Sequence, residues 1–136
     1  MVRNVSLEEL EREAVRLWRS LPSGAVVWLS GDLGSGKTAL VQAIARAASA
    51  APARSPTFAL VHEYDSPAGT IAHVDCYRLR TPDEALDLDL AALAARARLT
   101  LIEWPERAGT YAPPPHTHLR MGHGGTPSVR SLEVVA

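Results

Sequence analysis

The chain has 136 residues, of which 46% are hydrophobic and 21% charged, and this length and composition predict a single domain over residues 1–136. A formal net charge of -1 excludes a protein that neutralises a nucleic-acid backbone unaided, and the single cysteine excludes an internal disulfide bond. No run approaches the roughly 18 apolar positions of a membrane helix, and the N-terminus lacks the apolar core of a signal peptide, so we expect a cytoplasmic protein.

The first half of the chain predicts a helix, a strand and a second helix. A helix over residues 6–21 is indicated by a capping-box pattern at Ser6 and Glu9 and by one apolar face. That face consists of Leu7, Leu10, Ala14, Leu17 and Leu21. The short apolar run Ala25–Ser30 is typical of a strand that is buried on both faces. Residues 37–50 then read as a helix that Pro52 ends.

The next segment predicts a β-hairpin followed by a helix. Two strand candidates, residues 58–64 and 70–75, are joined by a turn-rich connection that is short enough for a hairpin. Thr81, Pro82 and Glu84 then supply a cap, a first-turn proline and a capping-box acid. They predict one helix that runs to about residue 97.

The last part of the chain predicts a buried strand and a closing hairpin. Leu99–Glu103 is a short apolar run of the kind found in buried strands. Prolines after it, from Pro105 onwards, indicate irregular chain. Residues 119–122 and 129–135, on either side of a Gly-Gly-Thr-Pro connection, are expected to pair as the final hairpin.

A glycine-rich loop between a predicted strand and a predicted helix matches the pattern G-x-x-x-x-G-K-T in full. Its residues are Gly31, Asp32, Leu33, Gly34, Ser35, Gly36, Lys37 and Thr38. The glycines let consecutive backbone N–H groups approach phosphate oxygens, and the helix adds the positive end of its dipole. Lys37, the only lysine of the chain, can reach terminal phosphates, and the Thr38 hydroxyl can ligate magnesium. The loop therefore predicts a nucleotide-binding protein, with contacts that extend to Ala39.

A phosphate-binding loop needs further groups that hold the metal and orient an attacking water. Asp75 and Glu103 each end a predicted strand, and in a parallel sheet both can reach the edge at which the loop lies. The alternative for each is a solvated acid or a helix cap. Thr57 is the candidate hydroxyl that senses the terminal phosphate and the metal, with a turn threonine as its alternative. Either acid could orient the water, so both are predicted catalytic residues and metal ligands.

The histidines are interpreted as structural residues. His62 and His73 lie in strand patterns, where core or surface positions are commoner than ligand positions. Three more histidines lie in and beside a predicted strand, and we do not expect them to form a metal cluster. They are His116, His118 and His123.

Four motifs, in this order, resemble those of the TsaE family, also called YjeE, which comprises small bacterial P-loop ATPases needed to make threonylcarbamoyladenosine in tRNA. They are GDLGSGKT at 31–38, SPTFALVHEY at 55–64, HVDCYRL at 73–79 and LIEWPER at 101–107. Many NTPases share the first motif, whereas the other three at these spacings are more specific. The resemblance implies an α/β fold, a P-loop NTPase-like three-layer sandwich with a mixed sheet that includes antiparallel strands.

The resemblance also implies the nucleotide, the metal and the roles of individual residues. ATP is the implied nucleotide, and Thr38 and Glu103 are the implied magnesium ligands. Asp75 corresponds to a Walker B-like acid and Thr57 to a switch threonine. Arg130 resembles the family's arginine in the final hairpin, placed near the nucleotide. The family's threonine and leucine-glycine pair are absent from residues 10–14, so no adenine contact is carried over.

The family works with two larger proteins, TsaB and TsaD, so the implied role is to hydrolyse ATP and reset that assembly. The near-neutral charge agrees with a subunit that contacts tRNA only through the complex. Two other functions fit the loop, a small-molecule kinase and a nucleotide-gated binding module. A kinase usually needs a lid and an acceptor site, for which 136 residues leave little room. ATP turnover separates an ATPase from a binding module.

Overall fold

The structure is a computed structural model that describes residues 2–32, 34–53 and 60–135. Within these residues the strands are β1 (Val2–Ser6), β2 (Ala25–Ser30), β3 (Val61–Ser66), β4 (Gly69–Asp75), β5 (Leu99–Glu103), β6 (Thr117–His123) and β7 (Val129–Val135). The α-helices are α1 (Leu7–Ser20), α2 (Lys37–Ala47) and α3 (Leu90–Arg96). Two 3-10 segments, Pro82–Leu88 and Pro105–Tyr111, complete the elements of the described chain.

The described strands form one mixed sheet in the order β1-β7-β6-β2-β5-β4-β3. Its centre is parallel, because β2 pairs in parallel with both β5 and β6, and β5 pairs in parallel with β4. Antiparallel pairs lie at the two sides, β3 with β4, and β7 with both β6 and β1. The expected α/β fold with a mixed sheet is therefore confirmed.

Apolar clusters lie on both faces of the sheet. Because side chains alternate along a strand, Leu101 packs on one face among residues of α1 and α2, such as Leu17 and Leu40. Its neighbour Ile102 packs on the other face against residues of α3, such as Leu93. The central strands are buried on both sides, which explains their nearly continuous apolar sequences.

Several predicted elements agree with the structure. The Ser6 hydroxyl accepts a hydrogen bond from the Glu9 N–H at 3.2 Å, and the Glu9 carboxylate accepts one from the Ser6 N–H at 3.1 Å. This is the capping box at the start of α1. The strands at Ala25–Ser30 and Leu99–Glu103, and the hairpins β3–β4 and β6–β7, are also present.

The prediction of one helix to about residue 97 is wrong. The chain forms a 3-10 segment over Pro82–Leu88 and a separate α3 over Leu90–Arg96. Asp89 between them has a left-handed backbone, with φ 44° and ψ 64°, and its carboxylate accepts a hydrogen bond from Ala92 N at 3.2 Å. The expected helix is therefore interrupted at Asp89, where the side chain caps the start of α3.

Three further differences concern the ends of elements. Leu7 is 59% exposed, because it lies at the rim of a groove between α1 and α2 instead of in the core. Helix α2 ends at Ala47, before Pro52, and Ser49 after it has a left-handed φ of 57°. Strand β1 was not predicted. It is an edge strand in which Val5 is the buried residue, so its sequence lacks a regular apolar alternation.

Among the residues that the structure describes, no helix is long and apolar enough to cross a membrane.

Candidate functional site

The glycine-rich loop lies between β2, at the centre of the sheet, and the first residue of α2. Gly31 has a φ of 136°, and a Cβ there would lie 2.1 Å from the carbonyl oxygen of Met121 in β6. Gly36, which precedes α2, has a φ of 103°, and a Cβ there would lie 3.2 Å from the Met121 side chain. Both positions therefore require glycine, because the loop takes left-handed conformations and packs directly on the neighbouring strand.

Two polar side chains of the loop are buried. Lys37 is only 4% exposed, and its Nζ donates a hydrogen bond to the carbonyl oxygen of Gly31. The same Nζ lies 4.3 Å from the centroid of the Trp104 ring, a cation–π distance. Ser35 is fully buried, and its hydroxyl has no hydrogen-bond partner among the described residues. Of these two side chains, Lys37 lines a cavity at the loop, whereas Ser35 does not.

The two predicted acids, Asp75 and Glu103, are partners in the register of β4 and β5. They end adjacent parallel strands at the same edge of the sheet, and β2 ends beside Glu103. Backbone hydrogen bonds hold the three strand ends together, from Cys76 N to Glu103 O at 3.0 Å and from Trp104 N to Leu29 O at 3.3 Å. The predicted convergence of both strand ends on the loop is present in the structure.

Each acid already has a hydrogen-bond donor within the chain. Asp75 Oδ1 accepts a hydrogen bond from Tyr77 N at 3.0 Å, which fixes the turn that follows β4. Glu103 is 4% exposed, and its Oε2 lies 2.5 Å from His73 Nε2. A buried carboxylate needs such a donor, because an unpaired charge out of water is costly.

A cavity of about 260 Å³ brings the loop and the acids together. Its lining is Gly34, Gly36, Lys37, Thr38, Asp75, Glu103 and Trp104. A threonine hydroxyl and two carboxylates are hard oxygen donors of the kind that magnesium prefers. The residues that line the cavity therefore fit a phosphate group together with a magnesium ion.

Arg130 lies against the loop from the side of the last hairpin. A Cβ on Gly36 would be 3.4 Å from both Cγ and Nε of Arg130. The Arg130 guanidinium donates to the carbonyl oxygens of Pro127 at 2.5 Å and Val129 at 3.3 Å. These contacts keep a cationic side chain beside the phosphate-binding loop.

Some predicted residues lie elsewhere. Gly31 and Asp32 line a second cavity of about 400 Å³, which shares Trp104 with the first and also includes Arg120 and Glu133. Ala39 lines the groove between α2 and α1. Leu33 and Thr57 lie outside the described residues, so their roles stay predictions.

The contact of His73 with Glu103 was missed by the sequence interpretation, which gave His73 a core or surface position. A signal was present in the sequence, because His73 precedes Asp75 by two residues and therefore lies on the same face of β4. Its partner in β5 could not be identified without the register.

Burial perturbs two other titratable groups near this edge of the sheet. It raises the pKa of the Cys76 thiol to about 12, and the negative charge of Asp75 adds to the effect. Burial also lowers the pKa of His118, whose Nε2 lies 2.6 Å from the hydroxyl of Ser30. Both shifts favour the neutral forms of these two groups.

Comparisons with known proteins agree with the motifs. A family model described as "Threonylcarbamoyl adenosine biosynthesis protein TsaE" matches residues 5–130. Three relatives carry the name "tRNA threonylcarbamoyladenosine biosynthesis protein TsaE". The relative from Nostoc sp. is 36% identical over 115 residues, which cover 81% of this chain and 70% of the relative. The relative from Rickettsia bellii is 40% identical over 103 residues, covering 74% and 71% of the two chains. The relative from Aquifex aeolicus is 35% identical over 105 residues, covering 75% and 74%.

A solved structure has the same fold. The crystal structure of Bacillus subtilis YdiB matches with a TM-score of 0.73 and 23% sequence identity. The match covers 100% of this chain and 87% of that chain. At this identity the likeness concerns the fold alone.

Proposed function

The chain belongs to the TsaE family, and from this membership we propose that it is a magnesium-dependent ATPase subunit required for threonylcarbamoyladenosine formation in tRNA. In this proposal it hydrolyses ATP and thereby resets a complex of TsaB and TsaD. It works in the cytoplasm as an enzyme of low intrinsic activity that its partners accelerate.

One observation carries the proposal. The cavity of about 260 Å³ is lined on one side by the phosphate-binding loop and on the other by Asp75 and Glu103. Phosphoryl transfer from ATP depends mainly on positioning and on electrostatic stabilisation of the phosphates, which these groups supply.

Lys37 and the loop backbone are proposed to bind the phosphates. On binding, Lys37 Nζ exchanges the carbonyl oxygen of Gly31 for an anionic phosphate oxygen, which is a stronger acceptor. Helix α2 begins at Lys37, and Gly36, Lys37 and Thr38 line the cavity, so the N-terminal N–H groups and the dipole of the helix favour an anion there. Arg130, beside Gly36, contributes a further positive charge.

Thr38, Glu103 and Asp75 are the proposed magnesium ligands, directly or through water. When bound, magnesium neutralises charge that develops on the phosphate oxygens during transfer. Asp75 and Glu103 are also proposed to act together in orienting the attacking water, since they are register partners at the edge of the cavity. Thr57 is the proposed switch threonine.

The partners are proposed to complete the site. Among the described residues that line the cavity, no group besides Asp75 and Glu103 is assigned to the attacking water. Groups supplied in trans complete other P-loop NTPases and add orders of magnitude to their rates. With a net charge of -1, this subunit should not hold tRNA tightly by itself.

The test is steady-state ATP turnover with magnesium, measured for the chain alone, with tRNA, and with a TsaB–TsaD complex. We expect slow hydrolysis by the chain alone, no response to tRNA alone, and acceleration by the complex. Full-speed hydrolysis by the chain alone, unchanged by the complex, would contradict the proposal. Phosphorylation of a metabolite would indicate a kinase, and ATP binding without turnover in any mixture would indicate a nucleotide-gated module.

A further inference from the structure

A buried histidine on the neighbouring strand forms a hydrogen bond with the carboxylate of Glu103. His73 lies in β4 and Glu103 in β5, and His73 Nε2 is 2.5 Å from Glu103 Oε2. His73 is 7% exposed and Glu103 is 4% exposed, so the contact is made out of water. In such surroundings the hydrogen bond is stronger than at the surface, and its loss is costly.

The proposed role of Glu103 as a magnesium ligand sets the direction of this hydrogen bond. A carboxylate that binds a metal is ionised and offers acceptors only, so in this role His73 Nε2 is the donor. The contact engages Oε2 of Glu103, whereas Oε1 accepts no hydrogen bond from the described residues. Glu103 also lines the cavity together with Thr38 and Lys37, so one carboxylate oxygen is anchored by His73 and the other remains to bind a ligand.

The position of His73 is itself constrained. Residues 71, 73 and 75 of β4 share one face, and their register partners there are Leu99, Leu101 and Glu103. Leu99 and Leu101 are aliphatic and cannot form hydrogen bonds with their side chains. Glu103 is therefore the hydrogen-bond partner that this face of β5 offers to His73. On the other side the His62 ring packs against the His73 ring, with centroids 5.9 Å apart. The imidazole is thus held between β3 and β5 and aimed at one carboxylate.

We infer that His73 is a positioning residue that orients the carboxylate of Glu103 for magnesium at the phosphate-binding loop. His73 does not touch the nucleotide in this role and acts only through Glu103. The inference rests on the proposed function, because it assigns magnesium to Glu103. Groups that hydrogen-bond to metal ligands typically change metal affinity by roughly 10- to 100-fold when they are removed.

The test compares nucleotide affinity with and without magnesium, using a non-hydrolysable ATP analogue and calorimetric titration. In the wild type, magnesium should increase the affinity for the analogue. His73→Ala should reduce this increase roughly tenfold or more, and it should leave the affinity in EDTA unchanged. His73→Gln, which can present an amide N–H near the position of Nε2, should recover part of the lost increase.

Two controls separate positioning from a general structural effect. Thr100→Ala changes a buried polar residue on the opposite face of β5 from Glu103 and should preserve the effect of magnesium. In a Glu103→Gln background, His73→Ala should cause no further loss of magnesium response, because the two changes act on one interaction. Melting temperatures of all variants identify any that fail to fold. If His73→Ala does not fold, a magnesium response of His73→Gln equal to that of the wild type would overturn the inference.

The outcomes distinguish the two proposals. A wild type whose nucleotide affinity is indifferent to magnesium would overturn the proposed magnesium site, and this inference with it. If magnesium increases the nucleotide affinity of the wild type and of His73→Ala equally, the inference about His73 is overturned and the magnesium site is kept. If His73→Ala reduces the magnesium response just as much in the Glu103→Gln background, His73 does not act through Glu103 and the inference is also overturned.

Discussion

Lys37 donates a hydrogen bond from Nζ to the carbonyl oxygen of Gly31, so the lysine of the loop is bound to the loop's first residue. The same nitrogen lies 4.3 Å from the centroid of the Trp104 ring, so the ammonium group contacts a neutral carbonyl and an aromatic face. An anionic phosphate oxygen is a better acceptor than either. Nucleotide binding should therefore release both contacts.

Lys37→Ala should weaken ATP binding. The substitution removes charge-assisted hydrogen bonds worth about 1.5 to 3 kcal/mol, which corresponds to roughly ten- to 150-fold in affinity. Calorimetric titration of the folded variant measures the change. Arg46→Ala is the matched control, since it removes a positive charge from the same helix at an exposed ion pair with Glu11. Equal affinities of Lys37→Ala and the wild type would refute the assignment of the loop.

The fluorescence of Trp104 should report nucleotide binding. Its ring lies under Lys37 and lines the cavity, so withdrawal of the ammonium changes its surroundings. Adding ATP with magnesium should alter the emission of the wild type and leave that of Trp104→Phe constant. Trp28→Phe should keep the response, because the Trp28 indole donates to Pro113 O outside the cavity. A response that survives in Trp104→Phe would contradict this prediction.

Glu103→Gln should lower ATP turnover by roughly 10² or more, since it removes a charge needed at the metal or at the attacking water. Size and shape are preserved, so folding should be preserved too. Turnover and melting temperature are the two measurements. Glu106→Gln is the control, because Glu106 is exposed and three residues further along the chain. A Glu103→Gln variant with wild-type turnover would give Glu103 a structural role only.

Asp75→Asn should also lower turnover, by roughly 10² or more, while nucleotide still binds. The asparagine oxygen can still accept the hydrogen bond from Tyr77 N, so the turn after β4 is kept and the lost charge is isolated as the cause. Turnover is compared with binding measured by calorimetry. Loss of activity in both acid variants, with binding retained, would support joint action of the two carboxylates. Full activity of Asp75→Asn would remove Asp75 from the catalytic residues.

Glu13 should make the stability of the fold depend on acid pH. Hydrogen bonds from Arg16, together with Arg3 at 2.7 Å, hold the pKa of the Glu13 carboxyl below its ordinary value. A lowered folded-state pKa means stability that is present above the unfolded pKa of about 4.3 and is lost as pH falls through the folded value. Glu13→Gln should therefore destabilise the protein at pH 7 and have a smaller effect near pH 3.

Urea unfolding of the wild type and Glu13→Gln at both pH values measures this effect. Glu8→Gln, an exposed change in the same helix, is the control. A destabilisation by Glu13→Gln that is the same at both pH values would show that the charge of Glu13 is not its cause.

Local sequence patterns were sufficient for the elements that surround the loop. The run Ala25–Ser30, the glycines from Gly31 to Gly36 and the start of α2 at Lys37 are determined by residues close together in the chain. A buried strand, a glycine turn and a helix N-terminus each follow from local backbone preference and apolar pattern. The same reasoning found β5 and the two hairpins.

Where local preference was weak or divided, the prediction failed. Residues 82–97 have helix-forming composition throughout, and the break at Asp89 depends on a side chain that caps α3. Strand β1 exists because β7 offers it an edge, with Val5 paired to Arg130, and its own sequence carries little strand signal. Such elements are decided by the partners they pack against.

The amino-acid sequence by itself located the glycine-rich loop and the two strand-end acids, and its resemblance to the family implied the mixed α/β fold. Only the tertiary structure decided that Asp75 and Glu103 are register partners and that His73, 30 residues from Glu103, supplies its buried hydrogen-bond donor. The physical reason is that strand order and register depend on how a whole sheet buries its faces, and a shift of one residue would turn His73 to the opposite side.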